Sequence, residues 1–197
     1  MNKYTCRVVD GLIGWTAPSV VLRAKVYCHE YKWLTPIITA HKDVEMEDAD
    51  ATSIHMFCST KEDSTVAIAN VRLTPYEAAP MRGVSSLLTE GAWEIGRLCI
   101  DPAYRGKNTG TILTHPFGML YKVSMDRGIK VWGAVMAPEV LGLLEHYGIS
   151  FDETQNPVEY HGMRVPVLGA IDNIVSRLIA KRPDVWEALN AVKYNGD

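Results

Sequence analysis

The sequence predicts a mixed-sheet domain of the α/β or α+β class, on three observations. Two runs rich in β-branched and apolar residues, Thr52–Thr60 and Thr65–Thr74, flank the turn Lys61-Glu62-Asp63-Ser64, which is the pattern of an antiparallel hairpin. A third run, Trp93–Ile100, passes through a long helical pattern to a fourth, Lys130–Met136, as a parallel crossover does. Helical and extended patterns then alternate to the end of the chain.

Size and composition bound the reading. The 197 residues suit one domain, residues 1–197, with 172–197 as a C-terminal helical appendage. With 47% apolar and 22% charged residues the chain can bury a sizeable core. A net charge of −3 argues against bulk binding of nucleic acid, which needs a basic face. The first ten residues lack the apolar core of a signal peptide, and no apolar run is long enough for a membrane span, so a cytoplasmic location is expected. Cys6, Cys28, Cys58 and Cys99 are dispersed, which points to reduced thiols and to no metal site.

The elements follow in order. Residues 16–34 read as an amphipathic helix, with Thr16 or Ser19 to cap it, Pro18 in its first turn and Thr35-Pro36 beyond its end. His41–Asp50 is acidic and aperiodic, as a solvated loop is; the functional alternative is that Glu47, Asp48 or Asp50 meets the ammonium of a cationic substrate. In the hairpin, Arg72 is the charged residue of the second strand: either an edge or strand-end arginine or a fork for a carboxylate. Residues 76–91 are irregular, with a short helix at Val84–Leu88. Thr109–Arg127 reads as a helix, kinked or short of one hydrogen bond at His115-Pro116, and closed by Gly128. A helix from Pro138 stops at Gly148. Ile149–Asp152 and Met163–Gly169 read as strands, and Asp172–Lys181 and Pro183–Val192 as helices.

The chemistry concentrates at Trp93–Gly110. In a regular strand Glu94 and Arg97 face opposite ways. Gly96 lies between them, and a glycine inside a strand often marks a bulge. A bulge would turn both side chains to one cleft and free a backbone N–H to polarise a carbonyl oxygen. Strand, then a polar loop, then a helix N-terminus is also a recurrent phosphate cradle, here built from Arg105, Gly106, Lys107, Asn108, Thr109 and Gly110. Polar capped loops are common, so the loop alone does not decide.

L-C-I-D-P-A-Y-R-G-K-N-T-G, from Leu98 to Gly110, resembles motif A of the GNAT superfamily of N-acetyltransferases, and Val140–Phe151 resembles its later helix-to-strand segment. The resemblance implies a GNAT-like mixed central sheet flanked by helices and splayed between the Trp93–Ile100 and Val131–Met136 strands. A pantetheine arm would lie in the splay. Asn108 stands where the motif has a glycine, and Leu144 where the superfamily often has a general-acid tyrosine. The order Arg23–Trp33, Glu45–Asp50, Arg72-Leu73-Thr74-Pro75 and Trp93-Glu94-Ile95-Gly96-Arg97 is similar to that of the acyl-homoserine lactone synthases, and more so to the related N-acyl amino acid synthases, the long-chain N-acyl tyrosine synthases of environmental bacterial DNA.

That resemblance implies transfer of a long-chain acyl group from the 4′-phosphopantetheine arm of acyl carrier protein (or from acyl-CoA) to the amine of an amino acid, with no permanently bound cofactor. Glu94 would be the base and Arg97 its orienting group or a carboxylate binder. A backbone N–H at Cys99 or Ile100 would hold the oxyanion. Arg105–Gly110 would bind the phosphate, and Trp33, Asp48, Arg72, Trp132, Met136 and Leu144 the substrates, with Phe117 also in the acyl tunnel. Basic residues such as Arg82, Lys122 and Arg127 would face the carrier protein. The alternatives are a lactone synthase, a CoA-dependent acetyltransferase, or a non-catalytic thioester-binding domain.

Overall fold

The computed structural model describes residues 3–106 and 109–196. The first strand, β1 (Tyr4–Asp10), is one that the sequence reading passed over. It alternates buried Cys6 and Val8 with exposed Arg7 and pairs along its whole length with β4. The next helix is shorter and wider than expected. α1 (Pro18–Arg23) has Ala17 as its N-cap and no side-chain cap, and it runs on as a π-helical stretch, Ala24–Glu30. A small hairpin, β2 (Ile37–Ile38) with β3 (Asp43–Val44), precedes a 3₁₀ turn at Asp48–Thr52.

The predicted hairpin is present as β4 (Ile54–Thr60) and β5 (Ala67–Pro75), antiparallel. Both strands are buried on both faces, because α2 covers one side and α1 the other. The polar residues at alternate positions of β5, Asn70, Arg72 and Thr74, are therefore buried as well. Residues 76–92 form two 3₁₀ turns, Tyr76–Ala78 and Pro80–Gly83, and the helix expected at Val84–Leu88 is absent. Then come β6 (Trp93–Ile100), α2 (Thr109–Asp126), β7 (Val131–Met136) and α3 (Pro138–His146). Two short strands, β8 (Glu153–Thr154) and β9 (Val158–Glu159), flank the long β10 (Met163–Ala170). α4 (Ile171–Lys181), α5 (Pro183–Asn190) and β11 (Asn195–Gly196) complete the chain.

The strands form one sheet in the order β11-β1-β4-β5-β6-β7-β10-β8, with β9 beside β10. The main core lies between this sheet and α2, α4 and α5, around Met56, Leu73, Leu120 and Ile174. A second core sits under α1, around Val20, Leu22, Phe57 and Cys99. The C-terminal helices add Leu178, Val185 and Leu189 to the main core, and β11 pairs with β1. α5 comes so close to α2 at Gly118 that a methyl there would stand 2.5 Å from the Leu189 carbonyl. α2 runs unbroken through Pro116. The His115 ring bonds the carbonyls of Thr111 and Ile112, and the Ile112 carbonyl is the one that proline, lacking an N–H, leaves open.

Two departures from regular sheet position the site. β6 and β7 are parallel but pair only at Trp93↔Trp132 and Glu94↔Gly133. Beyond that point β7 stays with β10, from Val131↔Ala170 to Met136↔Val165, and the sheet opens. The second departure is a bulge in β6: Gly96 stands opposite Arg72 but Cys99 opposite Asn70, so three steps of β6 face two of β5. The residue that turns the chain is Arg97, at φ +54°, and not Gly96. A left-handed non-glycine residue costs roughly 1–3 kcal/mol and persists only where its surroundings hold it. Here the Arg97 carbonyl accepts a hydrogen bond from Asn70 Nδ2 at 2.8 Å, and its side chain is tied by two carboxylates.

Candidate active site

The opening between β6 and β7 is a cleft of about 340 Å³, and it takes in both Glu94 and Arg97. The bulge therefore does what alternation alone would forbid, since the two side chains line one space.

Glu94 is 4% exposed. The 76–92 segment folds back so that the Met81 N–H donates to Glu94 Oε2 at 2.7 Å. Burial raises the carboxyl above its usual range, against the opposing pull of that bond and of Arg72 and Arg97. The other oxygen, Oε1, borders the space left by Gly96. A Cβ there would lie 3.6 Å from Glu94 Oε1 and 3.6 Å from Arg72 Nη2. The missing side chain thus leaves a gap between a buried carboxyl and a guanidinium.

Beneath this gap lies a closed ring of charge. Arg23 pairs with Glu45 at 2.5 Å and with Asp50 at 2.8 Å; Arg72 pairs with Asp50 at 2.7 Å and Glu47 at 2.6 Å; Arg97 pairs with Glu47 at 2.8 Å and Glu45 at 3.1 Å. Each cation touches two anions and each anion two cations, so the ring is neutral although most of it is buried. Glu45 and Asp50 are held below the usual carboxylate range: their arginines overcome the burial that opposes ionisation. The same ring corrects three expectations. The acidic segment is no solvated loop. Arg97, expected to orient Glu94 or to bind a substrate carboxylate, holds Glu45 and Glu47 of this chain. Arg72 is a fully buried residue of a central strand, and its fork already grips internal carboxylates.

A wall of aromatic rings closes the cleft on the α1 side. The π-helical turn is wider than an α turn, and such turns gather at functional sites. Tyr27, Tyr31 and Trp33, from this turn and its exit, all line the cleft. Tyr31 stacks on Trp33 at 4.2 Å and 11°. The Tyr27 hydroxyl donates to the Leu98 carbonyl at 2.8 Å. Opposite, the β9–β10 hairpin contributes Tyr160 from its turn and Arg164 from β10. Burial raises the Tyr160 phenol, which feels the charges of Arg97, Glu47 and Glu94.

Backbone direction narrows the oxyanion donors. The Asp101 N–H donates to the Ile68 carbonyl at 2.9 Å, and Cys99 stands opposite Asn70. Ladder groups alternate along a strand, so the Cys99 N–H turns to β5 while those of Leu98 and Ile100 turn to the splay. The carbonyls agree: Leu98 accepts from Tyr27 and Ile100 from Arg105 Nε. Cys99 is therefore removed as a donor and Leu98 joins Ile100. Burial pushes the Cys99 thiol up to about 12, which leaves it protonated and a poor nucleophile.

At the far end, Arg105 and Thr109 line the cleft. The Thr109 N–H donates to the Gly106 carbonyl at 3.1 Å, and Gly106 takes φ +91°. Arg105 is gripped by Glu30 at 2.5 Å. Gly110 is required by packing, because any side chain there would collide with the Tyr147 ring. Lys107 and Asn108 lie outside the described residues.

Of the residues assigned to substrates, Trp33 and Met136 line the cleft. Three lie elsewhere. Asp48 is exposed on its 3₁₀ turn, and its neighbours Glu45, Glu47 and Asp50 point to the site instead. Trp132 is core, its indole N–H donating to Ser124 Oγ at 2.9 Å. Leu144 is fully buried beside Phe117 between α2 and α3, away from the splay. Sequence reasoning missed Glu45, Tyr27, Tyr160 and Arg164. An arginine and two tyrosines four residues apart, Arg23, Tyr27 and Tyr31, were a signal for the first wall.

A family profile described as an acetyltransferase (GNAT) domain matches residues 22–115. No curated protein sequence matches the chain. Among solved structures, BjaI, described as a CoA-dependent acyl-homoserine lactone synthase with SAM and isopentyl-CoA, superposes with a TM-score of 0.69 at 14% identity, over 98% of this chain and 93% of that one. TofI, described in a ternary complex with an inhibitor and MTA, gives 0.67 at 14% identity, over 96% and 97%. An acyl-CoA N-acyltransferase from Pseudomonas aeruginosa gives 0.58 at 15% identity, over 85% and 98%. At such identities the likeness concerns the fold: a mixed, GNAT-like sheet flanked by helices.

Proposed function

We propose that this GNAT-like chain is an N-acyltransferase that moves an acyl group from a pantetheine thioester to the amine of an amino acid. The observation that carries the reading is the splay itself. It sets a buried carboxyl of raised pKa, Glu94, beside the empty side-chain position of Gly96, on the stretch of β6 that has no ladder partner in β7.

The donor's pantetheine lies along β6 toward Arg105 and Thr109, and its acyl chain lies against Leu113, Met136, Val140 and Leu143. The acceptor enters at the Gly96 gap. Most of an amino acid's amine is protonated at neutral pH and cannot attack, so Glu94 takes one proton, directly or through a water. The nitrogen lone pair adds to the thioester carbon, and the Ile100 and Leu98 N–H groups face the oxygen that gains charge. The tetrahedral adduct collapses, the C–S bond breaks, and the thiolate leaves with the proton that the nitrogen gives up. No acyl-enzyme is needed, in keeping with a Cys99 thiol that stays protonated.

Within this reading the donor is long-chain acyl carrier protein and the acceptor tyrosine. Both rest on the resemblance in the motif order, and the apolar lining of the cleft supports the acyl part. The second reading, a lactone synthase, is favoured by the whole-chain likeness to BjaI and TofI. Purified protein is incubated with palmitoyl carrier protein or palmitoyl-CoA and, separately, an amino-acid mixture or S-adenosylmethionine, and products are read by mass spectrometry. N-acyl amino acid is expected from the carrier-protein arm. A homoserine lactone product would establish the second reading, and intact thioester in every arm would contradict both.

A further inference from the structure

The cleft is lined by more charge than the acyl-transfer chemistry uses, and that charge can be followed group by group. Arg97 is neutralised by Glu45 and Glu47, and the rest of its ring by Asp50, Arg23 and Arg72. Arg105 is neutralised by Glu30. Two charged residues of the lining are left. One is Glu94, whose carboxylate bonds only the Met81 N–H among the described residues. The other is Arg164, whose hydrogen bonds among the described residues go to backbone carbonyls and to no carboxylate. An anion and a cation left over in one cleft match a zwitterion.

Arg164 is also held ready. Its Nη1 donates to the Met163 carbonyl at 3.0 Å and its Nη2 to the His161 carbonyl at 2.6 Å. Its guanidinium lies 4.4 Å from the centre of the Trp33 ring. Tyr31 stacks on Trp33 at 4.2 Å, so the indole is itself held by a neighbouring ring and serves as a platform for the cation. The turn that presents those carbonyls is tightly wound, with His161 at φ +53° and Gly162 at φ +94°. A Cβ on Gly162 would stand 3.1 Å from Arg164 Nη1. A guanidinium carries five N–H donors, and two are used on its own turn. Three remain on a guanidinium whose orientation is already set, so it can take a carboxylate at low entropic cost.

We infer that Arg164 binds the carboxylate of the acceptor, so that the site selects α-amino acids over simple amines. This rests on the acyl-transfer reading and deepens it. The carboxylate docks on Arg164 beneath the β9–β10 turn while the ammonium end reaches the Glu94–Gly96 gap. Arg97, the earlier candidate for this role, is engaged twice over in the ring.

Paired substrates test the assignment: L-tyrosine against tyramine, and L-leucine against isopentylamine, each pair differing by the carboxylate alone. The native protein is expected to prefer the amino acid in each pair. Arg164→Gln should raise KM for the amino acids by about ten- to a hundredfold, the range for a charge-assisted hydrogen bond, with kcat little changed and the amines unaffected. Arg164→Lys, which keeps the charge and loses the fork, should fall between. An equal loss on both members of each pair would make Arg164 merely structural and overturn the inference, as would an unchanged preference. Absence of amide from every amine with native protein would overturn the acyl-transfer reading itself, and the Arg164 assignment with it.

Discussion

Replacing Glu94 with glutamine should lower kcat/KM about a hundredfold or more, the usual contribution of a positioned general base, and the protein should remain folded. Glutamine is isosteric and still offers an oxygen to the Met81 N–H, so the 76–92 segment keeps its anchor. The two pH dependences run in opposite directions, which makes the substitution informative. In the proposed mechanism activity needs the carboxylate, so the native rate should climb with pH through a carboxyl pKa that burial has raised, and Glu94→Gln should have no such limb. Stability goes the other way. A group whose folded pKa lies above its unfolded value favours folding at low pH, and that contribution is lost as pH rises through the folded pKa. Glutamine does not titrate, so the variant should gain on the native protein in thermal melts as pH rises from acid to neutral. A pH–rate profile and melts over one pH series check both halves; unchanged turnover would remove Glu94 as the base.

The largest effect on stability is expected at Asp50. It is fully buried and accepts ion pairs from Arg23 and Arg72, themselves fully buried. Asp50→Asn keeps the shape and leaves the ring with one positive charge too many. Breaking a buried pair in this way costs about 3–5 kcal/mol, a large share of the roughly 5–15 kcal/mol that holds a typical domain. Asp50→Asn with Arg72→Gln restores neutrality, so the double variant should be less destabilised than the two single losses summed. Urea unfolding at neutral pH measures all three. The acid response follows from the same carboxylates. Asp50 and Glu45 have depressed pKa values in the fold, so their contribution is complete above the unfolded carboxylate range and is lost as pH falls through the folded values. The native protein should therefore lose stability in acid more steeply than Asp50→Asn.

The scaffold was more legible than the site. The β4–β5 hairpin, the β6–α2–β7 crossover and the helices after it carry their periods and turn residues locally, and they stand within a few residues of their expected places. β1 escaped because its adjacent valines, Val8 and Val9, blur its alternation, although it is as long as β4. The π-helical stretch escaped because a helix-period pattern does not say which hydrogen-bond spacing packing will choose. The bulge was legible from Gly96, yet the strained residue is its neighbour Arg97: glycine permits a bulge, and the ring of carboxylates decides where the chain turns.

The ring itself was hidden for an electrostatic reason. Composition marks Glu45–Asp50 as solvated, and only the fold brings Arg23, Arg72 and Arg97 to it from distant parts of the chain. Trp132 and Leu144 show the converse. Hydrophobicity marks them for burial, but which of two apolar faces they join depends on where the sheet opens.

The proposed function requires the splay to perform direct aminolysis of a thioester. The most direct measurement counts thiol released against amide formed, with purified protein, acyl carrier protein loaded with palmitate, and tyrosine present or omitted. One thiol per amide, and no thiol release beyond background without the amine, is the predicted result. Thiol released equally without amine, or palmitate left covalently on the protein, would contradict it.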